Sequence, residues 1–326
     1  MSSYEQPDLD ELEGLARTCV SGPLGLEGGV VERLRGGQHA VFLVSTHSER
    51  FVLKAFGEDE PGWAREAVCM RLLGEQFAPV LRGQCRAGAY VFVLADFVHG
   101  KDMRELLVHH RLEREQSVRS AAIRAAELLP RIHGEFAKDA TRFAEVQGRD
   151  PLLKLTEADS ASSGIERELR ADRLGARRCS RVVAMVDACR DLESALQDVC
   201  CSHGDFQAKN LMVDESAQVR VIDWEFLRLA PRIADCVMLW RYTWWLGLDV
   251  SVMRPFVADQ RLGESRLLQL AFTYEVAKIS LGISRSTTVT SDFPLWSDYL
   301  DACLLFLETG NNEELQTSSQ QLLKGT

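Results

Sequence analysis

His203-Gly204-Asp205-Phe206-Gln207-Ala208-Lys209-Asn210-Leu211-Met212-Val213 is the most informative stretch of this 326-residue chain. Val221-Ile222-Asp223-Trp224-Glu225 follows it, with Asp223 thirteen positions after Asn210. The two stretches set an aspartate and an asparagine five apart on a loop, then a second aspartate at the end of the next hairpin strand. Carboxylate and amide oxygens are hard ligands suited to Mg²⁺, and a carboxylate beside a hydroxyl can orient it and take its proton. These are the groups that phosphoryl transfer requires. Asp223 alone could simply cap a turn; it is the combination with Asp205 and Asn210 that points to chemistry.

Upstream of this stretch the hydrophobic period changes. Residues 8–20 alternate acidic and apolar groups at helical spacing, and Gly22-Pro23 ends the run. Val30–Leu34, Val41–Val44 and Phe51–Phe56 then read as three short strands. Residues 63–77 (WAREAVCMRLLGEQF) show the i, i+3, i+4 pattern of a helix, and Val80-Leu81 and Tyr90–Leu94 read as two more strands. Beyond Gly100 the chain turns helical over 102–111, 116–136 and 179–199, with 156–164 (TEADSASSG) as the best internal loop. A short β-rich patch returns at 204–224; helices then run from Ile233 to about Leu307, before a polar tail. A strand-rich first hundred residues followed by a helix-rich remainder predicts an α+β protein with two lobes.

Charge narrows the partners. The chain carries 38 basic and 48 acidic side chains, a net −10. The acid excess lies in residues 1–100 and 201–326, while the middle hundred is balanced. Such a chain is a poor match for a nucleic-acid backbone and favours cationic or neutral partners. No apolar run reaches the ~18 residues of a membrane helix, and the acidic, polar start is unlike a signal or transit peptide. Nine irregularly spaced cysteines then read as reduced thiols of a cytoplasmic protein. Cys200-Cys201-Ser202-His203 lacks a second ligand pair at zinc-finger spacing. Lys54 is the only lysine in the first hundred residues, a stretch that otherwise uses arginine, which suggests a task for an ammonium.

H-G-D-x-x-x-x-N followed by I-D-W-E resembles the aminoglycoside phosphotransferase and choline kinase superfamily, the small-molecule relatives of protein kinases. The resemblance spans roughly residues 30 to 245. Phe51-Val52-Leu53-Lys54 resembles the strand lysine that holds the nucleotide α/β-phosphates, and Glu66 the helix glutamate that pairs with it, with Glu58 and Glu60 as competitors. Val93–Gly100 resembles the hinge between lobes, and Asp235 the aspartate that opens the next helix. The family implies a bilobal protein-kinase-like fold: a β-rich N-terminal lobe (1–95), a hinge (96–100) and a mainly helical C-terminal lobe (101–326) with the catalytic loop and acceptor pocket. It implies that Asp205 acts at the acceptor hydroxyl and that Asn210 and Asp223 coordinate Mg²⁺. Backbone atoms of Asp96 and Val98 would meet the purine of ATP or GTP. The turn Gly36-Gly37-Gln38-His39 would cover the triphosphate, although it lacks the full glycine pattern of protein kinases and could be a plain hairpin turn. His203 and Asp235 would shape the catalytic loop. Lys209 stands where a small residue is usual and receives no role.

The implied activity is transfer of the γ-phosphate of ATP or GTP to a small-molecule hydroxyl. The acid excess favours an amine-bearing acceptor such as an aminoglycoside, whose modification would confer antibiotic resistance. Choline, another amino alcohol, a sugar or a natural-product intermediate is the alternative. Only eleven residues separate Asp223 from Asp235, too few for the activation segment of a protein kinase. From another class, a nucleotide-binding pseudokinase scaffold would be favoured by loss of Lys54, Asp205, Asn210 or Asp223, and all four are present. Glu275, Asp292, Asp298, Asp301 and the surroundings of Asp235 could hold ammonium groups or be solvated helix faces. His133 reads as a buried structural histidine. Trp240, Trp244 and Trp245 could form either core or a cage for a quaternary ammonium.

Overall fold

Alternation along Arg50–Gly57 decides how the first part of the chain is built. Phe51, Leu53 and Ala55 are buried on one face of the strand, which leaves Val52, Lys54 and Phe56 for the other. The computed structural model describes residues 9–34, 39–108, 115–144, 148–150, 152, 161–244, 250–257, 259–285 and 293–325. They fall into two compact units: Met1–His99 with Thr141–Val146 and Arg220–Phe226, and Gly100–Ala140 with Gln147–Val219 and Leu227–Thr326.

The first unit contains α1 (Leu9–Ser21), β1 (Val30–Leu34), β2 (Ala40–Ser45), β3 (Arg50–Gly57), α2 (Gly62–Leu73), β4 (Leu81–Ala87) and β5 (Tyr90–Asp96). The strands form one antiparallel sheet in the order β1-β2-β3-β5-β4, with β3 in the centre. Leu12, Ala16, Cys19 and Val20 of α1 pack on Phe42, Val44, Phe51, Leu53 and Phe92, forming the core on one face. Phe56, Val91, Val93 and Ala95 gather against Met70 of α2 on the other. Full burial of each large side chain contributes roughly 1.5–3 kcal/mol. The α2 helix stops at Leu73, short of the expected 77, because Gly74 takes a left-handed conformation at φ +72° and ends it. The face that carries Met70 also carries Glu66, one turn earlier, so α2 brings a buried carboxylate to the Lys54 side of the sheet.

The second unit contains β6 (Lys101–Asp102), α3 (Met103–Val108) and α4 (Glu115–Lys138); α5 (Ala140–Ala144) follows. Next come β7 (Gly148–Arg149), α6 (Ala161–Glu168), α7 (Ala171–Leu174), α8 (Ala176–Ala188), α9 (Asp191–Gln197), β8 (Val199–Ser202) and β9 (Leu211–Val213); β10 (Val219–Val221) leads into the Arg220–Phe226 segment of the first unit, and β11 (Arg228–Pro231) resumes the second. The chain closes with α10 (Ile233–Thr243), α11 (Glu264–Arg285), α12 (Phe293–Thr309) and α13 (Glu313–Gly325). Gly100 sits at φ +135°, and a Cβ there would lie 2.4 Å from the Val213 carbonyl oxygen, so only glycine lets β6 pair with β9.

Three further expectations need correction. The run 179–199 is two helices and the start of a strand. Neither Cys189 nor Arg190 is a helix breaker by type, but Cys189 ends α8 at φ −108° and ψ 78°; beyond α9, β8 pairs with β11 and Arg232 N–H bonds the Asp198 carbonyl at 2.7 Å. The polar tail contains α13, because Leu315, Ser319 and Leu322 recur at helical spacing and are buried. The loop expected at 156–164 gives way to α6 from Ala161; its first five residues lie outside the described set. No helix among the described residues is long and apolar enough to cross a membrane, and all nine cysteines are free thiols.

Candidate active site

Two groups of polar side chains are assembled, one in each unit. In the first, Lys54 Nζ reaches Glu66 Oε2 at 3.1 Å and Glu225 Oε2 at 2.6 Å, and also pairs with Asp223. Of the competitors, Glu58 instead pairs with Arg86, and Glu60 lies 3.4 Å from His39. Burial disfavours the Lys54 charge, but the three carboxylates outweigh it and raise its pKa above the ordinary value. Burial pushes Glu66 up to about 7 despite Lys54. Burial also opposes ionisation of Glu225, yet hydrogen bonding to His39 and the charge of Lys54 hold it below the usual carboxylate range.

Asp223 occupies the left-handed region at φ +68°, uncommon for a residue with a Cβ and a mark of local strain. His39 Nε2 lies 3.1 Å from Glu225 Oε2, and its ring packs on Phe56 at 4.7 Å. Burial would lower the His39 pKa, but Glu225 prevails and raises it. Gly36, Gly37 and Gln38 lie outside the described residues. At the end of β5, the Asp96 side chain takes Arg82, its N–H bonds the Val80 carbonyl at 3.0 Å, and Val98 is buried.

In the second unit β8 delivers the chain to His203, and β9 takes it up again at Leu211. Phe206, Ala208 and Leu211 are buried and anchor the connecting loop. Gly204 turns it at φ +84°. Asp235, fully buried at the start of α10, accepts the N–H of His203 at 2.8 Å through Oδ2 and that of Gly204 at 3.0 Å through Oδ1. His133 Nε2 lies 3.5 Å from the same Oδ2. Burial would raise the Asp235 pKa, but His133 and the loop N–H groups hold it low.

The Asp205 N–H bonds His203 Nδ1 at 3.1 Å. Its carboxylate accepts Gln207 Nε2 on both oxygens, at 2.7 and 2.8 Å, and Asn210 Nδ2 at 2.9 Å. Asn210 Nδ2 also bonds the Asp205 carbonyl at 2.9 Å, so its NH₂ end is committed to Asp205 and its amide oxygen is directed elsewhere. Lys209 Nζ is 3.7 Å from Asp205 Oδ2.

The sequence matches the phosphotransferase enzyme family over residues 30–270. The chain belongs to that family. It is a small-molecule phosphotransferase with a hydroxyl acceptor. Solved structures share its fold. A candidate aminoglycoside phosphotransferase from Ralstonia eutropha JMP134 is 14% identical, with 98% of each chain covered and a TM-score of 0.61. The microcompartment-associated aminopropanol kinase is 14% identical over 91% of this chain and 95% of its own, at 0.56. A thermostable mutant of aminoglycoside phosphotransferase APH(4)-Ia, in ternary complex with ADP and hygromycin B, is 12% identical over 95% and 96%, at 0.50. No curated protein matches the sequence. The phosphotransferase therefore has the α+β, protein-kinase-like fold expected from its motifs.

Glu225, Gln207 and Tyr242 in this phosphotransferase are functional candidates that the motif reading left without a role. Glu225 stands in the quoted I-D-W-E, and a second carboxylate two residues after Asp223 was the available signal. Its oxygen, with those of Glu66 and Asp223, falls in a set within 4.8 Å of one another, a donor group able to hold a metal ion. Of the acidic residues considered for an ammonium, Glu275 is buried against the guanidinium of Arg241 at 2.8 Å and Asp301 pairs with Arg178. Asp298 and Asp301 line a cleft of about 520 Å³ together with Glu313 and Glu314; Asp292 lies outside the described residues. Trp240 and Trp244 pack with Phe272 at 5.1 and 5.7 Å as core, and Trp245 is not among the described residues.

Proposed function

We propose that the chain transfers the γ-phosphate of ATP or GTP to a hydroxyl of an amine-bearing small molecule, with Asp205 at the acceptor oxygen. The observation that carries this reading is the Asp205 carboxylate held by Gln207 and Asn210 on the loop between β8 and β9. Its hydrogen bonds restrict where it can point, so it orients the hydroxyl and receives its proton; placement contributes more than basicity in a loose transition state. Lys54 would neutralise nucleotide phosphate, positioned by Glu66. His39 and the turn before it would lie over the triphosphate, and the backbone of Asp96 and Val98 would meet the base. In this reading residues 1–95 are the nucleotide lobe, 96–100 the hinge and 101–326 the catalytic and acceptor lobe. His203 and Asp235 hold the loop.

Each proposed Mg²⁺ ligand has suitable chemistry taken by itself: Asp223 would offer a carboxylate, and Asn210 an amide oxygen left over by the commitment of its NH₂ group. When bound, the ion would neutralise the phosphate oxygens. An amine-bearing acceptor is supported by the net charge of −10. It is also supported by the aminopropanol kinase and the hygromycin B complex among proteins of this fold.

The test is nucleotide consumption with Mg²⁺ over a panel of alcohols, beginning with aminoglycosides and choline. Asp205→Ala should retain nucleotide binding and lose transfer by roughly 10²–10⁴-fold. A wild-type protein that neither binds nor turns over nucleotide would refute the reading.

A further inference from the structure

The hydrogen bonds behind Asp205 run in one direction only. Arg241 of α10 is buried, with Nη1 2.8 Å from Glu275 Oε1 of α11 and its guanidinium over the rings of Tyr242 and Trp296 at 4.5 and 5.0 Å. A guanidinium can only donate. Its Nη2, 2.9 Å from the Tyr242 hydroxyl, therefore makes the phenol oxygen an acceptor. The single phenol proton is left for Gln207 Oε1 at 3.0 Å. That contact turns the carbonyl end of the Gln207 amide toward Tyr242 and its NH₂ end toward both Asp205 oxygens. The opposite amide orientation would set a carbonyl oxygen against a carboxylate and leave the buried phenol proton without an acceptor, an unfavourable arrangement at both ends. Gln207, Tyr242, Arg241 and Glu275 are all buried, so water does not readily substitute for any of these contacts.

We propose that Gln207 is a positioning residue for Asp205, with its amide polarity dictated by the buried series Glu275, Arg241 and Tyr242. Helices α10 and α11 thereby set the rotamer of the carboxylate before the acceptor arrives. The proposal rests on the reading of Asp205 as the group at the acceptor hydroxyl. Burial works against the Arg241 charge, but Tyr242 and Glu275 outweigh it and raise its pKa, so the series begins from a permanent donor.

The test is steady-state kinetics, with the best acceptor of the panel, on Gln207→Leu, Gln207→His, Tyr242→Phe and the Gln207→Leu/Tyr242→Phe double variant. Gln207→Leu should lower kcat by roughly 10- to 100-fold, the size expected for a misplaced reacting group, with the nucleotide KM within about twofold. Tyr242→Phe should lower kcat less, and should add nothing in the Gln207→Leu background, because its effect passes through the amide. Gln207→His, which can accept from the phenol and donate to Asp205, should restore much of kcat. Retention of kcat by Gln207→Leu, or an equal loss from Tyr242→Phe in both backgrounds, would overturn the proposal. Should Gln207→Leu fail to fold, Tyr242→Phe decides alone: an unchanged kcat refutes the series. Asp205→Asn separates the two readings. If it keeps transfer, the role of Asp205 fails; if it is inactive while Gln207→Leu is not, only the positioning role fails.

Discussion

Lys54 Nζ lies 2.6 Å from Glu225 Oε2, so the carboxylate two residues after Asp223 shares this ammonium with Asp223 and with Glu66. One cation therefore serves three carboxylates, two of them buried. The surplus negative charge is tolerated in part through His39, which bonds Glu225, and in part through the raised pKa of Glu66.

Removal of the ammonium leaves that charge uncompensated. Lys54→Met should destabilise the protein by about 3–5 kcal/mol near neutral pH, the usual cost of stripping one partner from a buried ion pair. Glu66, already pushed up to about 7, should rise further in the variant. A carboxyl with a raised folded pKa stabilises below its unfolded pKa and loses that contribution as pH rises through the folded value. The deficit of Lys54→Met should thus be larger at pH 8 than at pH 5. Urea unfolding at the two pH values checks this; equal deficits would contradict it.

Asp223 stands at φ +68°. Asparagine takes up this conformation at lower cost than alanine. Asp223→Asn and Asp223→Ala both remove the charge that faces Lys54, so the difference between them isolates much of the backbone term. The alanine variant should unfold about 1 kcal/mol more easily. Denaturant midpoints with equal slopes for the two variants measure it, and identical midpoints would show that the backbone carries no strain here.

His133 supplies a pH dependence of the opposite kind. Burial alone would lower its pKa, but the neighbouring Asp235 carboxylate, with Cys200, prevails and pushes it up to about 9. An unfolded imidazole titrates near 6.5. The stabilisation is complete below pH 6.5 and is lost as pH rises through about 9, a change of roughly 3 kcal/mol. His133→Gln should remove this slope, so the stability gap between wild type and variant narrows from pH 6 to pH 9.5. A constant gap would show that the imidazole is neutral throughout.

Much of the fold was legible because its signals are local. Alternation across Phe51–Phe56 placed Lys54 on a strand, and the spacing of Asp205, Asn210 and Asp223 marked out the loop before β9 and the hairpin strands that follow it. The break after Ala188 was not legible. No glycine or proline marks it; Cys189 simply leaves the helical region at φ −108° and ψ 78°. Nor was the strand that follows α9 legible, because it depends on a pairing between residues some thirty positions apart, as in Arg228 with Ser202 and Ala230 with Cys200. In α13 the signal was present, in Leu315 and Leu322, but the surrounding polar residues masked it.

By itself the sequence determined the family, the α+β class and the residues that carry oxygen and ammonium groups to the candidate site, since these depend on residue type, periodicity and spacing along the chain. Only the tertiary structure decided which groups meet. It put Glu225 on Lys54, gave Glu275 to the chain's own Arg241 rather than to an ammonium ligand, and ordered Arg241, Tyr242 and Gln207 behind Asp205. The reason is physical: hydrogen bonds and buried ion pairs act over about 3 Å in space, and helices α10 and α11, which follow the Asp205 loop by more than twenty residues, supply Tyr242, Arg241 and Glu275.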